Sequence, residues 1–144
     1  MILIAHRGNI TGKSEWENHP DFLEETVTAG YDIEVDLRYI DGKYYVGHHK
    51  PDYLITIEQL NGLSPCMWCH AKDIVTLHQL LIDNLHCFFH DSDDVTLTSC
   101  GKIWTYPGKQ LTSNSICVLP PDNWKVETCL GICSDYISTY RSLR

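Results

Sequence analysis

The stretch Asp32-Ile33-Glu34-Val35-Asp36-Leu37-Arg38-Tyr39-Ile40-Asp41-Gly42-Lys43-Tyr44-Tyr45-Val46-Gly47-His48-His49 decides how the chain is read. From Asp32 to Arg38 polar and apolar residues alternate with a period of two, the pattern of a strand with one apolar face. Ile33, Val35 and Leu37 share that face, and Glu34, Asp36 and Arg38 share the other. Asp41-Gly42 is a hairpin-turn signal, so the chain returns through Lys43 to Val46 into Gly47-His48-His49. Two carboxylates on one strand face repel unless something positive lies between them, and a hard cation with oxygen ligands fits that place. A lone Glu-x-Asp would more often line a solvated face and pair with Lys or Arg.

Upstream, Ile2-Leu3-Ile4-Ala5 is a short apolar run that reads as a buried strand ending in His6-Arg7-Gly8. Parallel sheets keep their chemistry at such strand ends. Pro20 to Val27, with Pro at its start and Gly30 past its end, is punctuated as a helix. The hairpin carries a histidine back toward the end of the sheet where His6 emerges. Imidazole moves protons near neutral pH, and phosphodiester cleavage needs a base for the attacking oxygen and an acid for the leaving one. Two histidines bracketing a carboxylate pair, with Arg7 beside the first, are the parts of a metal-assisted phosphodiester cleavage.

His6-Arg7-Gly8, Glu17-Asn18, Glu34-Val35-Asp36, Asp41-Gly42 and Val46-Gly47-His48, in this order and approximate spacing, resemble the N-terminal signature of the glycerophosphodiester phosphodiesterase family. The resemblance implies a TIM-type barrel of the phospholipase C-like phosphodiesterase superfamily, with a divalent metal, Mg²⁺ or Ca²⁺, at the C-terminal ends of the strands. It implies His6 and His48 as the acid/base pair and Glu34 and Asp36 as metal ligands. Arg7 and Lys72 become phosphate contacts, and Glu17 and Asn18 loop residues supporting the site. Two departures stand out. His49 occupies the position of the family's aspartate, and His70, two residues before Lys72, replaces the third carboxylate. His70 would ligate a softer metal or hydrogen-bond to a ligand.

Downstream, Ile74 to Ile82 has helical spacing, and His86 to Asp91, Lys102 to Gly108, Ser115 to Pro120 and Leu130 to Asp135 read as further strands. A full barrel of this type takes about 250 residues, and the chain has 144. The expected fold is therefore α/β, an abridged TIM-like barrel in one domain with several helices reduced to loops. Uncovered apolar strand faces then make a homodimer an expectation. Asp91, Ser92, Asp93 and Asp94 read as a solvated turn or a metal-reaching loop, and Asp135 as a residue orienting a leaving group. Alternation turns His90 inward, and Trp104 and Tyr106 read as core or pocket wall.

Composition bounds the partners. At 43% hydrophobic residues and a net charge of -8, no basic patch offers itself to nucleic acid. No apolar run is long enough for a bilayer. Seven cysteines, an odd number on largely apolar strand positions, suit reduced thiols in a cytoplasmic setting better than a disulfide framework or a zinc site. Three functions remain: a phosphodiesterase acting on small glycerophosphodiester-type substrates, a degenerate barrel that binds a phosphorylated ligand without turnover, and a structural or partner-binding module.

Overall fold

Burial follows the alternation read from the sequence. In the computed structural model, which describes residues 1–122, 124–125 and 128–143, strand β2 (Asp32–Ile40) buries Ile33, Val35 and Leu37 completely on one face and Glu34 and Asp36 on the other. The apolar face packs against helices α1 (Pro20–Thr28), α2 (Ile57–Leu63) and α3 (Ile74–Ile82) through Leu23, Leu60, Leu63 and Leu80. Among the described residues, no helix is long and apolar enough to cross a membrane.

Strand β2 pairs in parallel with β1 (Ile2–His6), His6 opposite Glu34, and with β5 (Met67–Ala71), Asp36 opposite His70. The antiparallel strand β3 (Lys43–Val46) continues the hairpin and adds β4 (Tyr53–Ile55) at the edge. On the far side of β1 lie β10 (Gly131–Ser134), β9 (Ser115–Val118) and β8 (Ile103–Thr105), all parallel. Beyond β5 lies β6 (Cys87–Phe88), and β7 (Val95–Leu97) pairs antiparallel with β8. The result is one mixed ten-stranded sheet whose parallel core runs β6-β5-β2-β1-β10-β9-β8.

The α/β class expected from the sequence is formed, but the abridged barrel is not closed by hydrogen bonds: among the described residues no ladder joins β6 to β8. The physical reason is chain length. Strand β6 has two residues, and the segment after it forms β7, a hairpin partner of β8, in place of a crossover helix. Side chains hold the seam instead. Phe88 of β6 stacks on Trp104 of β8, ring centroids 4.5 Å apart, and Ser99 exchanges hydrogen bonds with the Cys87 backbone at 2.8 and 2.9 Å. Ile4, Trp68, Ile116, Val118 and Cys133 join these rings in a second, inner core. After α3 the described residues form no further α-helix, only a closing 3₁₀ segment at Ile137–Leu143, as expected for an abridged chain.

Helix α1 also fixes the loop that leaves β1. The Thr26 hydroxyl donates to the Gly8 carbonyl at 2.8 Å. A Cβ on Gly8, whose φ is +87°, would lie 2.9 Å from the Phe22 ring, so only glycine lets helix and loop meet.

Trp104 is 2% exposed at the seam, so Trp104→Ala removes both inner-core volume and the bridge between sheet ends. Urea denaturation is expected to show a loss of about 3–5 kcal/mol.

Candidate active site

Strand β1 delivers His6 to the end of the sheet, and the next residue turns sharply. Arg7 adopts a left-handed φ of +54°, a conformation that costs a non-glycine residue about 1–2 kcal/mol. Backbone bonds hold it there: its N–H donates to the Glu34 carbonyl at 3.0 Å, and its carbonyl accepts from the Asn18 N–H at 3.1 Å. The guanidinium Nη1 donates to Glu17 Oε2 at 3.1 Å. Its Nε stands 3.0 Å from Asp36 Oδ2, an ion-pair distance without hydrogen-bond alignment.

Asp36 is fully buried and gathers partners on both oxygens. Oδ1 meets Lys72 Nζ at 3.1 Å and His70 Nδ1 at 3.2 Å. Oδ2 accepts from the Asn18 amide at 3.1 Å, while Asn18 Oδ1 accepts from the Asp36 N–H at 3.0 Å. Burial opposes the charge, but the hydrogen bond to His70 and the fields of Lys72 and Arg7 outweigh it, so the carboxyl stays ionised well below its usual range. Glu34, 2% exposed, lies 3.6 Å from the same His70 nitrogen. One ligand atom each from Glu34, Asp36 and His70 fall within 4.8 Å of one another. Two carboxylates and an imidazole at that spacing fit a divalent ion, although Lys72 and Arg7 compete for Asp36.

His6 is held by a residue from the far end of the chain. Its Nδ1 lies 2.7 Å from Asp135 Oδ1, just past β10, which leaves Nε2 facing Glu34 at 3.9 Å. Asn9 donates to the same Asp135 oxygen and to Glu17 Oε1, both at 2.8 Å. Burial works against a charge on His6, but the Asp135 hydrogen bond and the Glu34 field prevail and raise its pKa above 6.5. Asp135 is pushed the other way: burial is outweighed by the His6 hydrogen bond, and its pKa falls.

His48 enters from the end of β3. Gly47 has a φ of +144°, and a Cβ there would sit 2.2 Å from the Lys50 carbonyl. Arg38 clamps this turn by donating to the Gly47 carbonyl and, at 3.0 Å, to the His48 carbonyl. Burial lowers the His48 pKa to about 4, helped by Arg7 and Lys72 and opposed by Asp36. His48 is therefore a neutral base at neutral pH.

His6, Arg7, Glu34 and His48 converge on a cavity of about 180 Å³. His70, His90, Trp104 and Tyr106 form its wall. His90 stacks on His70 at 4.4 Å and shares a hydrogen bond with the Tyr106 hydroxyl. A larger hollow of about 420 Å³ beside Tyr39, Tyr44 and Leu54 lies on the other side of the sheet. It is lined by neither histidine nor the carboxylate pair.

The expected residues are thus brought together, with changes of part. Lys72 is bound to Asp36, 3.1 Å away. Glu17 and Asn18 hold Arg7 and Asp36. His49 is exposed and meets the His48 ring, Nε2 to Nδ1 3.2 Å, rather than the cavity. Asp91, Asp93 and Asp94 are exposed, and Asp94 pairs with Lys109 at 2.9 Å. No disulfide joins any of the seven cysteines. Sequence reasoning missed Asn9, Arg38 as a clamp, and Asp135 as the partner of His6. Comparison with family models, curated proteins and solved structures finds no match to the chain.

The site's charges set an acid limit on stability. Asp36 and Asp135 have folded pKa values below their ordinary 3.8, so their contribution is complete above that value and lost as pH falls below it. His6, raised above 6.5, contributes fully below 6.5 and loses its contribution as pH rises through its folded value. Thermal unfolding followed from about pH 6 to about pH 3 is expected to show a steep fall in Tm below about pH 4, shallower in Asp135→Asn.

Proposed function

We propose that the chain is a metal-dependent phosphodiesterase that cleaves glycerophosphodiester-type substrates with His6 and His48, on an abridged form of the phospholipase C-like barrel. The observation that carries this reading is the convergence of two differently held histidines, Arg7 and Glu34 on one small cavity, with Asp36 grouped beside Glu34 and His70. Opposite pKa shifts on paired groups are how acid and base roles are divided. His48, neutral, takes the proton of the attacking oxygen. His6, protonated and oriented through Nδ1 by Asp135, gives a proton to the leaving oxygen from Nε2. Arg7, at the cavity wall, brings positive charge to the phosphoryl oxygens, and Trp104 and Tyr106 limit the space left to the substrate's arms.

Glu34 and Asp36, with His70 beside them, are the residues that would hold the ion. A divalent cation bound there supplies further positive charge to the phosphoryl group.

Binding of a phosphorylated ligand without turnover is the second reading. One observation favours it: both oxygens of Asp36 already meet Lys72, His70, Arg7 and Asn18.

Incubation with bis(p-nitrophenyl) phosphate and glycerophosphocholine, with and without Mg²⁺, Ca²⁺, Mn²⁺ or Zn²⁺, is expected to give metal-dependent release. His6→Ala and His48→Ala are each expected to lower kcat by about 10²-fold or more. The pH profile should rise through about 4 as His48 loses its proton and fall above 6.5 as His6 loses its own. Phosphodiester binding without release under any metal would sink the first reading in favour of the second.

A further inference from the structure

The third corner of the carboxylate site is a nitrogen, and its placement is fixed from several directions. The register of β2 on β5 sets His70 opposite Asp36. The imidazole is 8% exposed and its Nδ1 is turned to both carboxylates, at 3.2 and 3.6 Å. The ring cannot swing away freely, because it lies parallel to Phe88 (5.1 Å, 8°) and to His90 (4.4 Å, 14°). Phe88 is itself locked against Trp104 at the seam.

The oxygen donors are correspondingly few. Asp36 Oδ2 is engaged by Asn18 and Arg7, and Oδ1 faces Lys72. Mg²⁺ and Ca²⁺ want six or more oxygens, Mg²⁺ in near-ideal octahedral order. First-row transition dications accept imidazole together with carboxylate and tolerate fewer ligands.

We infer that His70 is a metal ligand through Nδ1 and that the site selects a first-row transition dication such as Zn²⁺ or Co²⁺ over Mg²⁺ and Ca²⁺. The inference rests on the reading of Glu34 and Asp36 as a cation site. It does not require that the bound protein cleave anything.

The metal-free chain is titrated with Zn²⁺, Co²⁺, Mg²⁺ and Ca²⁺ by calorimetry, and Co²⁺ is also followed by visible absorption and proton NMR. Zn²⁺ and Co²⁺ are expected to bind at least about tenfold more tightly than Mg²⁺ or Ca²⁺. One equivalent of Co²⁺ should produce a hyperfine-shifted, solvent-exchangeable imidazole N–H signal. That signal is lost in His70→Gln, and His70→Glu narrows the gap between Zn²⁺ and Mg²⁺ by about tenfold. Circular dichroism of both variants separates lost binding from lost folding, and His49→Ala, outside the cavity, should keep the wild-type preference.

Mg²⁺ or Ca²⁺ binding as tightly as Zn²⁺ overturns the inference. So does a Zn²⁺ affinity unchanged in folded His70→Gln, or no binding of any cation. Co²⁺ bound with the imidazole signal but no phosphodiester release leaves the inference standing and removes the phosphodiesterase reading.

Discussion

The ionised carboxylate of Asp36, fully buried at the centre of the sheet, is the constraint around which the rest is arranged. A buried charge without partners costs several kcal/mol even after relaxation, so it persists only where other groups compensate it. Those groups come from separate parts of the chain: Arg7 and Asn18 from the loop after β1, His70 at the end of β5, and Lys72 just beyond it. Strand order, the left-handed turn at Arg7 and the β2–β5 register are therefore mutually required. Moving the β5 register by one residue would turn His70 out of the site and bring an apolar neighbour to Asp36.

The inner core couples stability to chemistry. Phe88 and Trp104 hold together two sheet ends that no ladder joins among the described residues, and the same rings set the planes of His70 and, through it, His90. The cavity wall is thus the upper layer of a packed core rather than a separate loop structure. Rigid support of this kind keeps a small site in one geometry.

Much of this was legible in particular residues. The alternation of Asp32 to Arg38 gave the faces of β2. Asp41-Gly42 gave the hairpin, with positive φ at both positions. Pro20 marked the first turn of α1. The helix α2 also carried a readable sign, the Thr56/Gln59 capping box. Strand β7, three residues and largely exposed, carried none. Whether the abridged barrel closes is not legible, because no local pattern reports whether two strand ends meet by hydrogen bonds or by rings. The pairing of His6 with Asp135 lay beyond reach for a related reason: 129 residues separate them, and nothing in either neighbourhood names the other. His48 lines the cavity and His49 is exposed, a difference that two adjacent identical residues do not report in sequence.

The parallel pairing of β1 with β10, Ala5 opposite Ser134, has a consequence for biosynthesis. On a ribosome β1 is made well before β10, so one of its two flanking strands is absent while the helices α1 to α3 are synthesised. Until residues 131–135 leave the exit tunnel, His6 has no Asp135 to orient it and one edge of β1 has no strand against it. The nascent chain can acquire its outer helical layer before its reactive centre, which is assembled only once β10 and Asp135 have been made.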